Sequence, residues 1–360
     1  MEIIQFVSSD ETQKDFVNEL KESVKDYFKE NNLSVKANYR FFLKAIVMIG
    51  IYIGSFVLIL TLNLNPWWAL LLAIAMGFGE AGIGMAVMHD GAHGTISNKN
   101  WVNEVFASTI ALLGSNPTNW KIQHNILHHR YTNIYGFDPD IYTKAIIRLS
   151  QHAPLKSYHR FQYVYAFFLY GLMTFAKLVG DFKQLVIFQK DGLLETQRKN
   201  YKSEWLKLIL VKIIYLVIII GLPILLTPYN WWQVLIGFTV MHVVAGMIMS
   251  TIFQMAHVVE GLEQPLPNAE MAIEKEWMVH QLTVTSNFAP RSKFLFWYAG
   301  GLNYQVEHHL FQYINHIHYP AISKIVQEKC RKYDFDYLVN DKFSSALKSH
   351  IRRLSDLGSN

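Results

Sequence analysis

Seven of the chain's 15 histidines stand in three short motifs: His89 and His93 in MHDGAH, His124, His128 and His129 in QHNILHH, and His308 and His309 in NYQVEHHL. Residues four apart on a helix share a face, with Cβ atoms about 5–6 Å apart, so two such imidazoles can hold one metal ion. Adjacent residues point about 100° apart, so a His-His pair can serve two ions. His124-x-x-x-His128-His129 therefore suits a dinuclear centre. Imidazole suits zinc, copper, iron and nickel, and a lone cysteine, Cys330, excludes a thiolate cluster or a disulfide framework. Asp90 and Glu307 fall between ligand positions, where a carboxylate either accepts the second ring N–H of a ligand histidine or is solvated charge. Asp138 and Asp140 flank Pro139, which is turn chemistry first and a role beside the metal or a lipid head group second. An isolated buried histidine is ordinarily a hydrogen-bonded core residue, the reading given to His242. His152, His159, His280 and His350 carry no motif.

Something must bring these motifs together, and the composition shows what. Of 360 residues, 51% are apolar, 14% aromatic and only 17% charged, where a soluble domain carries about a quarter charged residues; the mean hydropathy is +0.13. A net charge of +5 without a long basic run excludes nucleic acid as the main partner. Residues 45–62 are uncharged, and 67–88 carry only Glu80. Residues 213–227 are uncharged, and 231–256 hold no acid, Lys or Arg. About 20 apolar residues span a bilayer as helix. In each pair a short Pro/Asn turn precedes Trp-Trp, Trp67–Trp68 and Trp231–Trp232, residues suited to a membrane interface. The expected fold is thus an all-α membrane protein: four transmembrane helices, about 42–62, 67–88, 206–227 and 231–254, in two hairpins. Buried core helices of a large soluble protein are the alternative, which four matched runs exceed. Nearly all Lys and Arg lie in the first 44 residues, in 89–207 and after 256, which the positive-inside rule assigns to the cytoplasm. All three histidine motifs then sit in one cytoplasmic helical cap. Residues 1–40 read as cytoplasmic amphipathic helices and not as a signal peptide, with Phe16, Leu20, Val24 and Phe28 on one face. Residues 161–179 read as an interfacial helix in preference to a fifth span, and 336–360 as a cytoplasmic tail.

The three motifs resemble the histidine boxes of the membrane fatty acid desaturases, with HDGAH first, HNILHH second and QVEHH third. HHRYTNIYGFDPDI (128–141), FQMAHVVE (253–260), GGLNYQVEHHLF (300–311) and INHIHYP (314–320) are similar to further stretches of that family, so the resemblance covers about residues 40–335, a desaturase domain of 41–335. It implies a di-iron centre held by His89, His93, His124, His128, His129, His257, His308 and His309. From spacing alone His257 is a lone residue at a helix end, and only the resemblance makes it a ligand. Gln305 stands where most members have the first histidine of the third box. Gln there is typical of front-end desaturases, which insert a double bond between an existing one and the carboxyl end, as in the delta-6, linoleoyl-CoA desaturase-like type; Gln305 is then near the metal. Asp90, Glu307, Asp138 and Asp140 would support ligand rings, and His316 and His318 are structural or support the site.

The implied reaction joins an acyl chain, dioxygen, two electrons and two protons to give a cis alkene and two waters. A mid-chain methylene is neither acidic nor polarised, so acid–base catalysis gains nothing and two iron ions with dioxygen as co-substrate supply the oxidising power. Phe78, Met85, Met247 and Met255 could shape an acyl tunnel or simply pack. The substrate is a fatty acyl-CoA or a phospholipid acyl chain, and the lipid bilayer surrounds the protein. No His-Pro-Gly-Gly haem motif and no dinucleotide fingerprint is present, so the resemblance implies a separate electron donor, a ferredoxin or cytochrome b5 with its reductase. The expected location is a bacterial inner membrane with the active site facing the cytoplasm, or the endoplasmic reticulum in a eukaryote. A di-iron lipid hydroxylase or a sphingolipid desaturase is the neighbouring reading. A metal-transporting membrane protein is the reading from another class, and it wants ionisable groups inside the spans, which hold few.

Overall fold

The computed structural model describes residues 3–143 and 146–359. Four helices are long and apolar enough to cross a bilayer: Tyr39–Thr61, Pro66–Ala92, Tyr201–Leu226 and Trp231–His257. Each extends the expected span by a few residues, mostly toward charge or histidine. Polar side chains set where they start. Asn38 accepts from the Arg40 N–H and Asn65 from the Trp67 N–H, both at 3.0 Å, and Pro66 takes a first-turn position where no N–H is needed. Asn230 and Gln233 close a reciprocal cap on the fourth span. Lipid satisfies no backbone group, so the runs between these caps have no alternative to helix.

The second span packs between the first and the fourth. Glycines permit the approach: a Cβ at Gly77 would lie 2.6 Å from the Met241 carbonyl oxygen, and one at Gly79 would lie 2.8 Å from the Tyr52 nitrogen. The close contacts are those of small residues at membrane helix crossings. A buried polar group joins three spans at mid-depth, where His242 Nε2 lies 2.7 Å from the Tyr215 hydroxyl and His242 Nδ1 3.4 Å from Glu80. The stretch expected as one interfacial helix over 161–179 is instead two helices, Ser157–Gly171 and Met173–Lys190, meeting at 72°. An apolar cavity of about 350 Å³ opens between the spans at their Trp-bearing ends, walled by Phe56, Trp67, Ala73, Ile219, Trp232 and Met241. Phe78, Met85, Met247 and Met255 do not line it; Met85 and Met255 pack into the core with Ala81, Ala245 and Phe288.

The remaining chain builds a cap over one end of the spans. The helix Glu11–Glu30 buries Phe16, Leu20, Val24 and Phe28, as its spacing predicts, against Tyr319–Tyr333. The helix Phe343–Ser359 buries Ala346, His350, Leu354 and Leu357 against the fourth span and Ser157–Gly171. The C-terminal segment is therefore part of the packed body and not an appended tail. Two parallel ladders join distant segments, Gln5–Phe6 with Ala272–Ile273 and Asn287–Phe288 with Val339–Asn340. Two-residue strands are too short to show alternation, so the helix-only reading passed over them.

Candidate metal centre

Two π-turns aim the first two motifs. The second span widens to a π-turn over Ile83–Met88 just before His89, and Ile122–His128 is another. A π-turn bonds i to i+5, and such turns recur at functional sites. The consequence is visible at once. His124 meets His129, five residues on, with Nε2 atoms 3.1 Å apart. Toward His128, four residues on, it stacks, with ring centroids at 5.3 Å, and one nitrogen of each also lies within 4.8 Å of the other and of an Asp140 oxygen. The α-helical rule that puts residues four apart on one ion is thus displaced by one residue here. The third motif is delivered by a loop with left-handed Gly300 and Gly301, φ +62° and +75°. A Cβ on Gly300 would lie 2.6 Å from the Ala86 Cα, so glycine lets this loop close on the first π-turn and start the helix Gln305–Leu310.

All eight expected histidines converge in one cluster. His89, His93, His124 and His308 each bring one nitrogen within 4.8 Å of the others, and the His89 and His124 Nε2 atoms are 3.2 Å apart. His128, His257 and His309 form a second such group. His129 groups with His308 and His309, with ring centroids at 4.5 and 4.4 Å, and so stands between the two. His257, unreadable from spacing, belongs to the second group because the fourth span is long enough to carry it there. His93 is half-buried and the other seven are buried.

Partners on the far side of three rings leave the inward nitrogen bare. The Gln281 Nε2 donates to the His129 carbonyl, which turns its Oε1 to accept from His309 Nδ1 at 2.9 Å. His128 Nδ1 lies 3.1 Å from Asp138 and 3.3 Å from Asp140, and His308 Nδ1 lies 3.2 Å from the Tyr319 hydroxyl. The Nε2 atoms of His93, His128, His308 and His309, and both nitrogens of His257, have no hydrogen-bond partner and no access to water. A buried polar atom left so is costly, and such atoms on five converging rings fit a cation. Burial, then the neighbouring rings, holds His93, His124, His129, His308 and His309 well below the ordinary imidazole range. They are neutral at pH 7, the state that offers a lone pair to metal. His128 departs upward: burial opposes the charge, but Asp138 and Asp140 outweigh it.

The carboxylates divide. Asp138 and Asp140 touch a ring as expected, and Asp138 is also held by the Asn133 N–H at 2.9 Å. Asp90 lies 3.9 Å from His89 Nδ1 but binds His316 Nδ1 at 2.6 Å, and Lys44 meets His316 Nε2 at 2.7 Å. Glu307 corrects the expectation that it supports a ring. Asn287 and Tyr337 donate to its two oxygens at 2.8 Å each, because its side chain leaves the short helix on the face opposite the cluster. Burial pushes its carboxyl up to about 7. Gln305 is fully buried beside the His257 ring, and neither its Oε1 nor its Nε2 has a hydrogen-bond partner. Trp120, Gln281 and Tyr319 were not foreseen. Trp120 stacks on His124 at 4.4 Å, and its place four residues before His124 was the available signal. Gln281 and Tyr319 lie in segments with no spacing cue.

Comparison with known proteins agrees with the geometry. A family model described as fatty acid desaturase matches residues 65–339. The chain is 31% identical to an sn-1 linoleoyl-lipid 6-desaturase of Arthrospira platensis, covering 96% of this chain and 93% of that one. It is 32% identical to an sn-1 linoleoyl-lipid 6-desaturase of Synechocystis sp., covering 94% of each. It is 29% identical to an acyl-lipid (8-3)-desaturase of Physcomitrium patens, covering 97% of this chain and 73% of that one. The chain belongs to the fatty acid desaturase family and is an oxidoreductase of lipid metabolism.

Proposed function

We propose that the cluster holds two iron ions. His89, His93, His124 and His308 would serve one, His128, His257 and His309 the other, with His129 between them and Gln305 beside the second group. The observation that carries this reading is the set of inward-facing imidazole nitrogens, most of them without a partner outside the cluster, gathered in one buried place. Bound there, the iron pair supplies, with dioxygen, the oxidising power that an unactivated methylene requires. The chain's own residues do the rest. Asp138 fixes the His128 ring and Gln281 the His309 ring, each through Nδ1. Such partners set tautomer and orientation. The burial of the rings keeps water from competing for the site.

The product is a cis double bond on the carboxyl side of the acyl chain, at the sixth position, in an acyl-lipid or acyl-CoA. The names of the relatives support this choice, and so does glutamine at 305. Two electrons per turnover come from a separate ferredoxin or cytochrome b5 with its reductase. The spans form two hairpins whose short turns, 62–66 and 227–230, face outward. The histidine cap faces the cytoplasm of a bacterial inner membrane, which the distribution of Lys and Arg supports. Labelling in intact cells checks the sidedness: Asn63→Cys reacts with an impermeant reagent and Ser34→Cys does not, while buried Cys330 stays silent. The function is tested by expression in a host without polyunsaturated lipids, fed linoleate. A new double bond at carbon six is expected; a hydroxylated product, or no product in iron-replete, donor-supplied cells, contradicts it.

A further inference from the structure

A second cavity, about 730 Å³, opens at the surface of the cap, and the buried His129 of the histidine cluster forms part of its wall. Its walls are the N-terminal strand segment Ile4, Gln5 and Phe6, then Asn125, His129 and Arg130 of the second motif, with Trp277 opposite. The strand is built in and not draped over: Ile4 is fully buried, and the N–H groups of Gln5 and Val7 donate to Met271 and Ile273 at 3.0 Å each.

Just behind the wall of this cleft two buried polar atoms have no partner. His129 Nδ1 is buried without a partner. The ring turns Nε2 toward His124, and a ring that gives Nε2 to metal carries its proton on Nδ1, as a donor. The Asn125 Nδ2 donates to the Ala92 carbonyl, which leaves its Oδ1 an acceptor without a donor. Beside them Arg130 is exposed, its guanidinium 5.4 Å from the Tyr131 ring centroid. No ion pair involves Arg130 among the described residues. A cleft with a cation and a ring N–H selects an oxyanion, and guanidinium matches phosphate oxygens with two parallel donors. The unfilled acceptor on Asn125 suits a neighbouring hydroxyl.

We propose that this cleft seats the phosphate ester of the acyl substrate's head group, with Arg130 as its anion-binding residue. The inference rests on the desaturase reading and extends it to how the double bond is placed. Arg130 follows His129 directly, so a head group held there keeps the carboxyl end of the chain beside the metal cluster. Carbons near that end are then the ones presented.

The test uses iron-loaded protein in nanodiscs, kept anaerobic, with three linoleoyl probes that share one acyl chain. They are linoleoyl-CoA, linoleoyl lysophosphatidylglycerol and the uncharged monolinoleoylglycerol. A charged hydrogen-bonded contact makes about a ten- to hundred-fold difference in affinity. Arg130→Ala is expected to weaken at least one phosphate probe by that factor, flatten its salt dependence and leave monolinoleoylglycerol unchanged. The phosphate probe that responds identifies the source, soluble thioester or membrane lipid. Gln5→Glu, which puts a carboxylate in the opposite wall, should weaken the same probe. Equal binding of the phosphate probes to Arg130→Ala and the unaltered protein overturns the proposal, as does unaltered protein that prefers neither phosphate probe to the neutral one. Dioxygen, a reductase and its electron carrier are then added to the same preparation and unsaturation is measured. Its absence from unaltered protein defeats the desaturase reading, whereas its presence with an indifferent Arg130→Ala defeats only the cleft.

Discussion

The second and third spans are nearly equal in length, 27 and 26 residues, yet they do opposite work. The third is the more apolar, and only 28% of its span-like stretch is buried; the second is less apolar and 67% buried. Gly77, Gly79, Gly82 and Gly84 on the second span each meet a neighbouring helix or loop closer than a Cβ allows. The third span's Gly221 meets only its own helix. The second then ends in a π-turn and two candidate ligands, while the third turns Ile213, Ile214 and Val217 outward. Apolar content marks the helix that faces lipid. Small residues at close crossings mark the helix that faces chemistry; a π-turn alone does not, since the third span carries one too at Val217–Gly221.

The largest effect expected from this contrast is at His129, which stands between the two histidine groups. His129→Ala should abolish unsaturation and lower bound iron below two per chain, whereas Ile214→Ala on the lipid-facing span should leave both unchanged. Iron analysis beside lipid profiling decides this, and a His129→Ala protein with full iron and full turnover would break the comparison. Asp138→Asn comes next. The His128 ring keeps its neighbour but loses the nearer of its two anions, Asp140 remaining at 3.3 Å, and loss of a supporting carboxylate typically costs about 10–100-fold in metal affinity. Competition with a chelator measures it, and unchanged affinity would mean that Asp138 serves only its turn.

Packing gives a smaller effect. Gly77→Leu forces a side chain against the Met241 backbone, and overpacking costs about 1–3 kcal/mol. Thermal unfolding in detergent should show a lowered midpoint for Gly77→Leu and none for Val217→Ala. The smallest effect is in acid. His350 is fully buried, bonded to the Val258 carbonyl at 2.6 Å and the Tyr170 hydroxyl at 2.8 Å, and burial pulls its pKa down to about 4. Its ordinary value is 6.5. The neutral ring is the folded form, so its contribution is complete above pH 6.5 and is lost as pH falls toward 4. Hydrogen exchange in Phe343–Ser359 should quicken over that window and lose the dependence in His350→Gln. A flat profile in the unaltered protein contradicts it.

Much of this was legible because it rests on local spacing. The four runs, the Asn and Pro starts and the face of Phe16, Leu20, Val24 and Phe28 are properties of neighbouring residues. What was not legible depends on contacts across the fold or on irregular backbone. Spacing left His257 a lone residue because its partners lie on two other segments. The π-turn at Ile122–His128 moved the partner of His124 from His128 to His129, and no residue type announces a π-turn. Glu307 has the spacing of a supporting carboxylate but is claimed by Asn287 and Tyr337. Gln5 lies within residues 1–40, read as amphipathic helices, and its strand partner is more than 260 residues away.

The central claim is that the cluster is a two-iron centre for acyl unsaturation. The direct measurement loads purified protein with iron or with zinc alone. Metal content is then read beside unsaturation of a linoleoyl substrate under dioxygen, with reductase and carrier supplied. Two iron per chain with a new double bond, and no product with zinc, is the predicted result. Zinc has no redox chemistry, so full turnover with zinc alone, or turnover of a chain that holds no iron, would contradict it.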